Sequence, residues 1–168
     1  LQAACAELRQ LEDAGHAGLF IAVNVAEAQL ARPDFTARVA AMLERQRLAP
    51  TQLELEITER TLMVDSHVHQ QNLLDLRRLG VRLSVDDFGT GYSSLAYLMR
   101  FAVDKIKVDR SFVAGVDGGG HHAAVVRAMV ALAEAMGLGC VSEGVETAAQ
   151  LAALRSLGCR EFQGYLLA

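Results

Sequence analysis

The sequence contains no tryptophan, and only six phenylalanines and three tyrosines among 168 residues. So few flat rings exclude a base-stacking surface. A basic surplus is also missing: 16 Lys and Arg stand against 20 Asp and Glu, a net charge of −4. That argues against a DNA or RNA polymer as partner, which calls for a basic footprint. No apolar run is long enough to span a bilayer, and no signal-peptide pattern opens the chain. The three cysteines, Cys5, Cys140 and Cys159, form no CxxC and no metal-ligand spacing. An odd number without a secretory signal suits a reducing cytoplasm, where they read as small buried hydrophobes. Walker, Rossmann and GxSxG fingerprints are absent. Asp-Phe-Gly at 87–89 shares its letters with a kinase motif, but the rest of the kinase signature is missing.

Just over half of the chain, 52%, is hydrophobic, enough for one globular domain. Apolar strand-like runs fall at 19–25, 53–58, 81–85, 103–109, 138–143 and 159–167. Helical patterns lie between them at 34–47, 66–79, 123–136 and 147–157, with another at 2–14 and a short one that Ser93 or Ser94 could cap. Gly15, Gly80 and Gly137 stand where helices should stop. Gly-rich 117–122 reads as a flexible loop. Strands alternating with helices over short connections predict an α/β fold with a parallel sheet, either doubly wound or a (β/α)8 barrel.

Polar residues recur where these strands end: Asn24, then Glu56 and Glu59, Asp86 and Asp87, Lys107 and Asp109, Glu143, and Gln163. In parallel α/β folds the carboxyl ends of the strands build the site. Period-two alternation puts Glu54, Glu56 and Thr58 on one face of their strand, and Lys105, Lys107 and Asp109 on one face of theirs. Asp86 and Asp87 must point apart in a regular strand, so both reach one site only if the chain bends there. Any one acidic strand end is commonly a cap or a solvated loop residue. Their joint position carries the inference. Converging carboxylates repel unless cations lie among them, and hard oxygen ligands suit Mg²⁺, Mn²⁺ or Ca²⁺ rather than zinc. Adjacent aspartates could bridge two ions, as in sites that turn water against phosphate esters. His67 and His69 do not share a helix face and read as two solvated histidines; His121 and His122 fall in the Gly-rich loop.

Six segments in order, "VNVAEAQL", "LELEITE", "VDDFGTGYSSL", "DKIKVDRSFV", "VSEGVET" and "FQGYLLA", resemble the EAL domain family of cyclic di-GMP phosphodiesterases over essentially the whole chain. The resemblance implies a modified (β/α)8, TIM-like barrel with one antiparallel strand, partial here at about six strands. It implies two Mg²⁺ or Mn²⁺ ions and hydrolysis of cyclic di-GMP to linear pGpG. By the same resemblance Asn24, Glu56, Asp86, Asp87 and Glu143 match metal-binding positions, with Asp86 bridging. Lys107 matches the lysine that assists the attacking water, Asp109 its acidic neighbour, and Gln163 a glutamine near water and substrate. Glu59 matches the glutamate that holds the loop of Phe88, Gly89, Thr90, Gly91, Tyr92 and Ser93, which shapes the second metal position and the dimer contact. A homodimer is implied, in the cytoplasm, on a parent that can be anchored to the inner membrane and can carry fused sensor or GGDEF domains.

The sequence departs from the family pattern in three places. The glutamate of the EAL signature is not among these residues, Ala26 stands where serine is usual, and the chain stops at "GYLLA". The expectation is a single domain over 1–168, truncated at both ends and impaired on its own. The alternatives are a receptor or interaction module that does not hydrolyse the dinucleotide, and an enolase-type barrel enzyme, which the order of lysines and carboxylates fits badly.

Overall fold

A computed structural model describes residues 1–91 and 95–167. Six strands form one sheet in sequence order: β1 (Ile21–Asn24), β2 (Leu53–Thr58), β3 (Arg82–Phe88), β4 (Lys105–Val108), β5 (Gly139–Ser142) and β6 (Glu161–Phe162). All five pairings are parallel. Each return crossing is helical: α1 (Gln2–Asp13) precedes β1, α2 (Glu27–Leu30) and α3 (Phe35–Gln46) precede β2, and α4 (Glu59–Leu62) and α5 (His67–Leu79) precede β3. α6 (Leu95–Phe101) leads to β4, α7 (Arg110–Val113) and α8 (Gly120–Met136) to β5, and α9 (Ala148–Ser156) to β6.

The sheet is curled, and its two faces differ in kind. Leu53, Leu55 and Ile57 of β2, Leu83 and Val85 of β3 and Ile106 and Val108 of β4 are buried in the hydrophobic core, together with Leu73 and Leu76 of α5 and Val126 of α8. The inner face carries the alternate residues, among them the charged Glu54, Glu56, Asp86, Lys105 and Lys107. Lys105 Nζ reaches Glu54 Oε2 at 3.5 Å and Glu161 Oε2 at 2.9 Å, and lies 5.5 Å from the centre of the Phe20 ring. One turn further along the strands is the tier that contains Lys107.

Local chemistry fixes the ends. α5 stops at Gly80, whose φ of +94° suits a residue without a Cβ. α9 opens on a capping box: Thr147 Oγ1 accepts the Gln150 N–H and Gln150 Oε1 accepts the Thr147 N–H. Buried Asn72 of α5 donates to the carbonyls of Leu30 and Arg32 at 2.8 Å each, pinning the segment that follows Asn24.

Several expectations change. Residues 117–122 are not a flexible loop: Val116–Gly118 is a 3-10 turn and α8 starts at Gly120. The last strand is short. Only Glu161–Phe162 pairs, and Tyr165–Leu167 is a 3-10 turn. The Ser93 or Ser94 cap falls outside the described residues. Ser66 occupies the cap position of α5 without a side-chain bond. The histidine pair divides: His67 is exposed, whereas His69 is 0% exposed and neither of its ring nitrogens has a hydrogen-bond partner among the described residues.

Burial holds the His69 pKa below the ordinary histidine value; Glu27 of α2 and the Thr61 backbone of α4 act weakly the other way. Below pH of about 6.5 the unfolded chain therefore takes up a proton that the folded chain refuses, and stability falls as the pH drops towards the lowered value. His69→Leu should flatten the decline of Tm between about pH 7 and pH 5. An unchanged slope in that variant would put the acid sensitivity elsewhere.

Candidate active site

The site lies at the carboxyl ends of the strands. Asn24 is registered against Glu56, Glu56 against Ser84, and Thr58 against Asp86. Period two therefore brings Glu56 and Asp86 to the inner face, with Lys107 entering from β4. Lys107 is 4% exposed. Its ammonium lies 2.6 Å from Glu143 Oε1, 2.8 Å from Glu56 Oε1 and 3.4 Å from Asp86 Oδ1. Burial alone would lower the lysine's pKa, but the bonds to Glu143 and Glu56 and the charge of Asp86 outweigh it, so the pKa is raised. Lys107 is thus a fixed cation and hydrogen-bond donor at neutral pH, not a base.

The bend that the adjacent aspartates require is present. Val85 pairs with Ile106 and Phe88 with Val108, so β3 spends one more residue than β4 over this stretch. This is a β-bulge. Asp87 takes up the extra residue with φ of +53°, a left-handed conformation that aspartate tolerates better than most side chains. Its N–H donates to Asp86 Oδ1 at 3.1 Å, and its carbonyl accepts the Thr90 N–H at 3.2 Å and the Thr90 hydroxyl at 2.8 Å. The result is that carboxylate oxygens of Asp86, Asp87 and Glu143 all lie within 4.8 Å of one another. Burial first, and then the charges of Asp86 and Asp109, raise the Asp87 pKa. Glu143 is raised by burial too, against the pull of Lys107. Like charges held this close are the arrangement that a divalent ion relieves, and the donors are the hard oxygens that Mg²⁺ or Mn²⁺ takes.

The remaining candidates stand around this cluster. Asp109 caps α7, with its Oδ1 accepting both the Ser111 N–H at 3.0 Å and the Ser111 hydroxyl. Despite partial burial these bonds hold its pKa below the usual carboxylate value. Glu59 is buried at the start of α4 and its Oε2 accepts the Gly89 N–H at 3.0 Å. Phe88 is buried, whereas Thr90 and Gly91 are exposed. Tyr92 and Ser93 lie outside the described residues. Asn24 is exposed beside Glu56, and Gln163 is exposed with its backbone bonded to Ser142 and Val145. Neither side chain makes a polar contact among the described residues. Ser111, the support of Asp109, carried no separate signal in the sequence.

Known proteins share this framework. The EAL domain family model matches residues 1–168. Cyclic di-GMP phosphodiesterase NbdA of Pseudomonas aeruginosa is 46% identical over 166 residues, which is 99% of this chain and 21% of that protein. The solved structure of the PaMucR phosphodiesterase in complex with c-di-GMP superposes with a TM-score of 0.93 at 43% identity, covering 99% of this chain and 68% of that one. Klebsiella pneumoniae BlrP1, crystallised with manganese and cyclic di-GMP at pH 6, gives 0.88 at 36% identity, covering 98% of this chain and 42% of that one. The chain spans about a fifth to a quarter of the length of the curated relatives it matches. The six parallel strands with their helical crossovers belong to the TIM-barrel-like architecture of these neighbours. With a match that runs from the first residue to the last and a backbone that superposes this closely, the chain belongs to the EAL domain family.

Proposed function

We propose that this domain is a metal-dependent phosphodiesterase that opens cyclic di-GMP to linear pGpG. The observation that carries the reading is the meeting of Asp86, Asp87 and Glu143 within 4.8 Å beside a buried lysine. The relatives' substrate is the second support. Asn24, Glu56, Asp86, Asp87 and Glu143 would hold two Mg²⁺ or Mn²⁺ ions. Such ions supply Lewis-acid polarisation of the phosphoryl oxygens and acidify water at neutral pH.

The chain's own residues do the rest. Lys107 stays protonated, keeps Glu56 and Glu143 aimed inward, and offers its N–H groups to the attacking water and to charge that grows on phosphate. Asp109, oriented by Ser111, faces Asp87 across the mouth. Gln163, exposed just after β6, would contact the substrate. Glu59 holds the turn that aims Asp87.

Glu59→Ala should leave the Gly89 N–H without its acceptor and lower kcat about 10- to 100-fold, the usual cost of losing a residue that supports a metal ligand. Glu59→Gln, whose amide oxygen can still accept, should keep most of the rate. Equal losses in both variants would assign the effect to charge rather than to the clasp.

The same reading includes a homodimer contacting through the Phe88–Ser93 loop, a cytoplasmic location, and a parent with fused sensor or GGDEF domains. The greater length of the relatives and the bifunctional cyclase/phosphodiesterase MucR support the last of these. No helix among the described residues is long and apolar enough to cross a membrane. The deciding assay, run on the parent protein that would supply the EAL glutamate, follows cyclic di-GMP and pGpG by chromatography with Mn²⁺, and again with EDTA. Manganese-dependent appearance of pGpG is expected. Tight dinucleotide binding without turnover would replace the enzyme by a receptor.

A further inference from the structure

Gly89 ends the bulged turn and is enclosed on two sides. Its N–H is held by Glu59 of α4. Its Cα faces α7 and α8: a Cβ built there would lie 2.0 Å from Met129 Cε and 3.2 Å from Phe112 Cε2, so the side chains press directly on the glycine. Phe112 is itself tied to the site, because its N–H donates to the Asp109 carbonyl at 3.1 Å. Met129 is buried on α8, forty positions along the chain from Gly89. Gly89 is also two residues from Asp87, and Thr90 closes the same turn on the Asp87 carbonyl.

We propose that Phe112 and Met129 are positioning residues for Asp87. The rigid ring and the adaptable thioether form an apolar seat for the Gly89 Cα. The seat closes the side of the turn that faces α7 and α8. Asp87 prefers to leave its positive φ, and leaving it would carry its carboxylate away from Asp86 and Glu143. Two helices that contribute no residue to the proposed ligand set would thereby set the geometry of the metal cluster.

This inference rests on the metal-site reading above, and the experiment separates the two. Mn²⁺ binding is titrated by electron paramagnetic resonance in the wild type, Phe112→Ala, Met129→Ala and Met129→Leu, with Tm measured for each. The alanine variants are expected to bind Mn²⁺ about tenfold more weakly, at the low end of the loss seen when a ligand's support is removed. Met129→Leu, which conserves volume, should stay within about threefold of wild type. A merely structural seat would lower Tm and leave Mn²⁺ affinity unchanged, and that result overturns the proposal. No Mn²⁺ binding by the wild type would overturn the metal reading itself and the inference with it. Should Phe112→Ala fail to fold, Phe112→Val probes the same contact with a smaller loss of volume. It too should weaken Mn²⁺ about tenfold, and wild-type affinity there would equally refute the seat.

Discussion

Asp86→Asn should cut turnover of cyclic di-GMP at least about a thousandfold, about 4 kcal/mol on the barrier, while the fold survives. Asparagine has the same shape and keeps an Oδ1 to accept the Asp87 N–H, now bonded at 3.1 Å. The backbone register of Asp86 against Thr58 needs no side chain. Its ion pair with Lys107 is the longest of that lysine's three, at 3.4 Å, so little stability rides on it. What disappears is one unit of charge from a position that, like Glu143, adjoins both Asp87 and Lys107 in the proposed ligand set. Tm should therefore move by no more than about 3 °C, roughly 1 kcal/mol in a chain of this size. Near-normal turnover at saturating Mn²⁺ would remove Asp86 from the mechanism.

Lys107→Met should be costly in two separable ways. Without its ammonium, the carboxylates of Glu56, Asp86 and Glu143 face one another in a buried site. Removing one partner of a buried ionic group typically costs about 3–5 kcal/mol. The raised pKa of Lys107 means that its stabilisation is complete at neutral pH, and fades only as the pH climbs through that raised value. Urea unfolding in EDTA should show the full loss. Excess Mn²⁺ should restore part of it, because a ligand at about a hundred times its Kd adds about 2.7 kcal/mol. At Mn²⁺ concentrations where the variant is folded, kcat should still fall about a hundredfold with KM nearly constant, as expected for a donor that acts on developing charge. A raised KM with normal kcat would make Lys107 a substrate-binding group instead.

The strands and their inward residues were legible because alternation has a fixed period. Glu56 and Lys107 are on the inner face for the same reason that Leu55 and Ile106 are on the outer one. The bulge was legible only as a requirement. Two adjacent aspartates demanded a bend, but nothing in "SVDDFG" says that Asp87 itself takes the left-handed turn. His69 shows how a polar letter misleads. The rule that positions i and i+2 face apart was correct, yet the inner face of α5 runs through His69, Leu73 and Leu76, so one histidine is exposed and the other is core. The last strand looked long because its letters are apolar. It ends early where Gly164 crosses so near Val145 that a Cβ would lie 2.3 Å from its backbone nitrogen. The Phe112–Met129 seat was invisible, since it joins residues that only the finished fold makes neighbours.

The extra residue in β3 places an unusual condition on sequence change. Substitutions at 85–88 alter what the site is made of, but a one-residue deletion there would bring the two strands back into step and rotate an acid out of the mouth. Spacing is thus a constraint of its own, added to the need for the two aspartates. Variant libraries for this segment should hold its length and Asp86–Asp87 constant and randomise the flanking letters.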